Sequence, residues 1–447
     1  MSRRAKRGLK VFVALAVLFG VYRMLLEFEL ARRLDAIRAA GYPVTVEELE
    51  TWRGWPAPDD ENAAIYFMAA AETLHDPGTV DVSTLPIVGN ADFRPYATVS
   101  SEEAAEIRTY MISNARALEL CREGAKFPKV IYPLDQETTD AVSLRNLRVL
   151  TRFLRLAIVD AAIARDATVA GERLELALRA SGSLKNEPGA IPILYGLADF
   201  QLLRNEFTFT LNSLPLDADS LRRIEQTLND CDWPKAAQMF AAGEFVNSFA
   251  YGRALRLMEN QTNPNDWKAV VLYEEVPLLG WAYHNARRAA GAFTFHEFNI
   301  ARRSLPFLNA AQMPLRASAV RIRELENSRD QEDAFDDGAP IYLGNNTSIV
   351  MSMLLPRSAL VRAMRGACIV ERFRRAHERA PETRDELGAE LLADWPVDPY
   401  DDQPMRYERV EGAYRVYSVG EDLDVDGTID YDMRHGKGDI GVEIAVK

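Results

Sequence analysis

The run Leu144-Arg-Asn-Leu147-Arg-Val-Leu150-Thr-Arg-Phe153-Leu154-Arg-Leu-Ala-Ile158-Val-Asp-Ala-Ala162 decides the fold class. Its apolar residues return every three or four positions, which lines one face of an α-helix and fits no strand. The pattern carries through 139–166, and similar stretches predict helices over 61–74, 101–124, 169–184, 191–213, 217–230, 234–260, 267–290 and 314–327. Between them stand breakers: Pro77-Gly78, Pro188-Gly189 and Pro264. Thr45-Val-Glu-Glu48 and Ser100-Ser-Glu-Glu103 carry the capping-box pattern, a hydroxyl and a carboxylate three residues apart that satisfy the first free N–H groups of a helix. Long strand-like alternation is absent from 45–356. The body is therefore expected to be an irregular helical domain, with 75–99 as a long loop that has room for a short strand pair. The hairpin around Ala161–Arg179 resembles a tetratricopeptide unit, but no repeat of about 34 residues follows it.

Outward from the body, the N-terminus reads as a membrane anchor. Arg3, Arg4, Lys6, Arg7 and Lys10 precede the apolar run Val11–Tyr22, and Leu9 to Leu26 makes 18 residues if Lys10 and Arg23 snorkel. A hydrocarbon core of about 30 Å asks for about 20. A cleaved signal peptide is the rival, but Tyr22, Arg23, Met24 and Leu25 offer no small-x-small site. The positive-inside rule puts Met1 in the cytoplasm and the body outside, in the periplasm of a bacterial inner membrane, crossed once. Helix-forming residues continue to Ala40, where Gly41-Tyr42-Pro43 stops the helix, so a short stalk is expected.

Composition narrows the function. With 447 residues, 48% of them apolar, the chain can bury a sizeable core. Its 53 Lys and Arg stand against 66 Asp and Glu, a net charge of -13, and the cations cluster only at the N-terminus, which argues against nucleic acid as a partner. Cys121, Cys231 and Cys368 are widely spaced and odd in number, which favours buried free thiols over a disulfide framework. The five histidines show no zinc spacing. The Trp52–Asn62 cluster reads as a loop pinned to its neighbouring helix. Glu274-Glu275 and Asp330–Asp337 read as solvated acids, because no base, nucleophile or oxyanion donor accompanies them. No catalytic constellation emerges, and a non-enzymatic role is expected.

The last part, 357–447, changes character. An amphipathic helix over 357–378 should bury Leu360, Met364, Ala367, Cys368, Val370 and Phe373. Pro381–Leu387 starts a second short helix, and Asp394-Trp-Pro-Val-Asp-Pro-Tyr-Asp-Asp402 is a turn cluster. Strands follow over Met405–Val410 and Ala413–Val419, joined by Glu411-Gly412. The next loop, Asp422-Leu-Asp424-Val-Asp426-Gly427-Thr428-Ile429-Asp430, matches the first nine positions of an EF-hand loop: oxygens at alternate positions converge on a hard cation and the glycine makes the sharp turn. The twelfth position is Met433, so a later residue must close the site; Asp439, Asp432 and Glu443 are the candidates. The expected ligands are Asp422, Asp424, Asp426, Thr428, Asp430 and Asp439, around a structural calcium.

These residues also carry a resemblance. Val370–His377, Trp395-Pro-Val-Asp-Pro-Tyr-Asp401, Met405-Arg-Tyr407, Tyr414–Gly420 and Gly438-Asp-Ile440 together resemble the globular head of the major pseudopilin of type II secretion. The likeness covers about a fifth of the chain. It implies a small α+β module whose loop after Gly420 binds calcium and holds the C-terminus against the sheet. Two departures argue against a processed, polymerising pilin subunit: about 330 residues separate anchor from head, and Gly8 is followed by Leu9-Lys-Val-Phe-Val13 with no glutamate fifth. The whole chain resembles uncharacterised bacterial envelope proteins that carry such a head.

The expected organisation is a mainly α chain: anchor 1–30, helical domain 31–356, and a small pseudopilin-like calcium-binding module 357–447. The expected function is a membrane-anchored scaffold or interaction protein with envelope partners, related to secretion or pilus-like machinery by analogy of the head alone. The alternative is a periplasmic ligand-binding protein or enzyme with a groove in the helical body.

Overall fold

The computed structural model describes residues 3–58, 61–90, 99–134, 144–232, 235–257, 292–329, 342–425, 429 and 437–446. Over these the protein is mainly helical, with one small antiparallel sheet near the C-terminus. The predicted helix over 267–290, Pro264, Glu274-Glu275 and Asp330–Asp337 lie outside the described residues.

Helix α1 runs unbroken over Arg3–Ala39 and ends at Gly41, whose φ of +85° only glycine adopts easily. Its first half is exposed and apolar, including Leu9, Val11, Phe12, Leu15, Leu18 and Leu25. From Leu26 the same helix turns inward: Leu26, Leu30 and Ile37 are buried. They pack mainly on α11 (Ala292–Ala311), a helix not among those expected, which runs through Pro306. Residues 27–40 are thus part of the core rather than a free stalk, which corrects that expectation.

The body continues with α2 (Val46–Arg53), α3 (Ala63–Thr73), α4 (Ser101–Ser113) and α5 (Ala115–Gly124). The second capping box closes as expected: Glu103 N donates to Ser100 Oγ at 3.1 Å and Ser100 N to Glu103 Oε2 at 2.8 Å. The first is displaced by one residue, since Glu48 N donates to Thr45 Oγ1 but Glu48 Oε2 accepts from Val44 N. The loop at 75–90 contains one 3₁₀ turn, Val82–Thr84; 91–98 lie outside the described residues.

Helix α6 (Leu144–Ile163) is buried more fully than one face requires: Leu156, Ala157 and Val159 join the predicted Leu147, Leu150, Phe153, Leu154 and Ile158. It pairs with α7 (Ala167–Gly182), and α8 (Ala190–Ser213), α9 (Ala218–Asp230) and α10 (Ala236–Leu257) complete the bundle. After α11 come α12 (Leu315–Arg329) and the long α13 (Tyr342–His377).

Helix α13 joins body to head. It packs on α8, α9 and α10 and also on the sheet, so the boundary drawn at 357 falls within one continuous helix, beside Pro356. Leu360, Met364, Ala367, Cys368, Val370 and Phe373 are all buried, as the amphipathic pattern requires. A 3₁₀ turn at Arg384–Leu387 leads into α14 (Gly388–Ala393). The sheet is β1 (Arg406–Val410), β2 (Ala413–Ser418) and β3 (Ile440–Ala445), in that order and antiparallel throughout. Gly366 allows the sheet to lie close: a Cβ there would stand 2.8 Å from Val416 Cγ1. Tyr414 donates its hydroxyl to the buried Glu371 at 2.9 Å, and Ala445 N donates to Asn212 on α8 at 2.8 Å, so the head is stitched to both helices. One apolar core runs from Leu30 to Ile444.

Candidate metal centre

Strand register brings the two ends of the acidic loop together. Ser418 pairs with Ile440 across β2 and β3, so the chain leaves β2 and enters β3 at one end of the sheet. Asp422 spans that mouth: its Oδ1 accepts from Asp424 N and its Oδ2 from Gly438 N, each at 3.4 Å. Gly438 is the residue before Asp439, which is buried where the chain enters β3. Asp422 and Asp439, 17 positions apart in sequence, are thus placed at the same end of the sheet. Asp424 is exposed beside them, while Asp426, Thr428 and Asp430 lie outside the described residues.

Of the residues considered for closing the site, Glu443 is committed elsewhere. It faces Arg415 across the β2–β3 pair and accepts from its Nε at 2.6 Å. Asp432 lies outside the described residues. Asp439 is near enough to Tyr417 that its negative charge, after burial and Glu408, helps to raise the phenol's pKa. Among the described residues, no three His, Cys, Asp or Glu side chains form a complete cation cage. The donors at the mouth are carboxylates, the hard oxygen type that calcium takes.

The start of the loop rests on Asp398, a residue of the turn cluster at 394–402. Asp398 is fully buried and accepts four hydrogen bonds: from Tyr400 N at 2.9 Å, Ser418 Oγ at 2.8 Å, Val419 N at 3.1 Å and Arg406 Nη1 at 3.2 Å. Ser418 Oγ accepts in turn from Gly420 N at 3.2 Å, and Gly420 has φ +70°. Arg406 also holds Asp401, whose carboxyl it keeps below the usual range. Beyond the turn, Arg323 of α12 donates to Glu421 at 3.0 Å and ties the loop's first residue to the body. The signal in the sequence was Asp398-Pro399: an aspartate before proline favours a turn, although nothing local reveals its partners twenty residues on.

The body offers no comparable constellation among the described residues, and three of its buried carboxylates, Glu187, Glu206 and Glu225, are paired with arginines. Glu187 accepts from Arg53 Nη1 at 2.7 Å and Tyr132 N at 3.0 Å; burial raises its carboxyl to about 7 against the pull of Arg53. Glu206 pairs with Arg155 at 2.8 Å and Glu225 with Arg372 at 2.8 Å. Arg53, buried at the end of α2, donates to Glu187 and to Tyr132 O, and its neighbour Trp52, also in α2, lies against Tyr42 with ring centroids 6.1 Å apart. All three cysteines are free and buried; burial moves the Cys121 thiol to about 12 and that of Cys231 to about 11, which keeps both unreactive. One groove lies between α12, α13 and the head, lined by Arg316, Val320, Arg323, Leu355, Glu421 and Leu423 among others.

Compared with protein-family models, with curated proteins and with solved structures, the chain gives no match.

Proposed function

We propose that this protein is a non-enzymatic scaffold of the bacterial envelope, held in the inner membrane by α1 with its N-terminus cytoplasmic and its body and head in the periplasm. The observation that carries this reading is the change of character within α1. One helix is apolar and exposed up to Leu25, then built into the core from Leu26 onward. A soluble protein rarely exposes so large a contiguous apolar surface, and lipid is the partner that fits it. The unbroken helix through Tyr22–Leu30 supports retention of the segment, since the first residues past a cleavage point would already belong to the core.

The head is read as a calcium-stabilised module. Supporting this are the convergence of Asp422 and Asp439 at one end of the sheet and the EF-hand-like spacing of the acids between them. The long helix carrying a three-stranded antiparallel sheet is in keeping with the pseudopilin resemblance. A role beside secretion or pilus-like machinery follows from that analogy alone. One observation favours a second reading, a ligand-binding protein: the groove has an apolar lining of Val320, Leu355 and Leu423 rimmed by the Arg323–Glu421 pair, a combination suited to a mostly apolar ligand.

Membrane fractionation with alkaline carbonate, followed by protease treatment of spheroplasts, tests the anchor. The full chain should stay with the membranes and lose its body to external protease. A carbonate-soluble chain, or a body reached only after lysis of the spheroplasts, would rule the topology out.

A further inference from the structure

We infer that the body sits directly on the lipid headgroups, its base formed by residues 26–30 of α1 and the first turn of α11. The inference rests on the reading of α1 as a membrane anchor. Exposed apolar residues on α1 extend from Leu9 to Phe28, which is 67% exposed. At 1.5 Å per residue this stretch is about 30 Å long, the thickness of a hydrocarbon core. Burial against the body begins at Leu26, inside that same turn. The membrane segment and the body therefore overlap, with no spacer between them.

The neighbouring helix fixes the height. Thr294, the third residue of α11, donates its hydroxyl to Glu27 at 3.1 Å, so the first turn of α11 stands level with Glu27. From there α11 climbs parallel to α1. Tyr42 donates to Leu308 O at 2.7 Å and Gln312 to Ala40 O at 2.8 Å. Glu27 lies only about 3 Å along the axis beyond Leu25. Phe28, the last exposed large apolar residue of α1, follows it directly, so the first turn of α11 stands at the boundary between the hydrocarbon and the headgroup layer, which is roughly 5–8 Å deep on each side. Arg23 pairs with Glu27 at 3.5 Å, and Arg33 pairs with Glu29 at 3.1 Å. These cations already have carboxylate partners. The seat is therefore set by helix continuity and packing more than by phosphate binding.

Energy transfer tests the seat. Met313, 42% exposed at the far end of α11, is replaced by cysteine and labelled with a donor dye; the native thiols are buried and do not compete. In vesicles of phosphatidylethanolamine and phosphatidylglycerol carrying a headgroup acceptor, the dye should stand about 28 Å above the hydrocarbon edge, nineteen residues beyond Thr294. Inserting about seven helical residues between Arg23 and Met24 adds two turns, keeps the same face toward the body, and should raise the dye by about 10 Å. Transfer should fall accordingly, while the melting temperature of the body is unchanged. A membrane-bound, folded chain whose transfer ignores the insertion would overturn the seat and leave the anchor standing. A chain absent from the vesicles overturns both.

Discussion

Cutting α1 at two points separates its membrane half from its core half. A chain beginning at Met24 keeps Leu26, Leu30, Leu34 and Ile37, whereas one beginning at Gly41 loses all four. Leu26, Leu30 and Ile37 are 8%, 4% and 0% exposed. At about 1.5–3 kcal/mol for each fully buried side chain, the shorter chain forfeits roughly 4–9 kcal/mol. The loss also includes Thr294's hydrogen bond to Glu27, the Arg38–Glu48 pair at 3.0 Å and Gln312's hydrogen bond to Ala40. Total stabilities of about 5–15 kcal/mol leave little margin for that. The chain from Met24 should be soluble and melt cooperatively by circular dichroism. The chain from Gly41 should melt far lower or not fold, and Ile37→Ala in the longer chain should cost about 2–5 kcal/mol. If the two truncations melt within a degree of each other, α1 is a tether and the packing against α11 carries no stability.

Three further outcomes follow from the interior. Asp199 is buried on α8, and burial lifts its carboxyl from 3.8 to about 6, against Thr151, Arg155 and Arg148. The native state therefore binds the extra proton between those values, so this contribution is fully present below pH 4 and is lost as pH rises through 6; it is worth roughly 3 kcal/mol. Asp199→Asn should flatten that slope in urea melts at pH 4 to 7, and an unchanged slope would exclude the assignment. Arg155→Ala should cost about 3–5 kcal/mol by leaving Glu206 buried without its cation, and a loss below 1 kcal/mol would show that water replaces the guanidinium. Asp398→Ala should loosen the start of the acidic loop, seen as faster amide exchange at Val419 and Gly420; unaltered exchange there would remove Asp398 from its supporting role.

Much of this architecture could be read from periodicity, and the failures have identifiable causes. The apolar faces of α6 and α13 and the hairpin at Glu411-Gly412 appear in the structure where their patterns put them. No helix is expected over 292–311, and the helix expected from 357 starts at Tyr342; both α11 and α13 run through a proline, Pro306 and Pro356. Tertiary burial on neighbouring helices outweighs the one lost hydrogen bond. Residues 27–40 read as a stalk from their helix formers and the Gly41-Tyr42-Pro43 stop; those signals give the helix but not its packing on α11. In the head, the acidic loop was legible from spacing, but the hub at Asp398 was not: its partners come from Tyr400, Arg406, Ser418 and Val419, which only the fold brings around it. No motif in the body announced a ligand, and Glu187, Glu206 and Glu225 proved to be paired with arginines.

The chemistry of the head comes down to whether calcium binds between β2 and β3. The chain beginning at Met24 should melt higher with calcium than with chelator. The gain should be about 2.7 kcal/mol at roughly a hundredfold excess over Kd, with magnesium a poor substitute because it demands a tighter octahedron. Asp424→Ala with Asp426→Ala should abolish both the shift and the calorimetric heat, whereas Glu411→Ala in the hairpin should leave them intact. No heat and no change in melting at millimolar calcium would contradict the reading and reduce the loop to a solvated acidic turn.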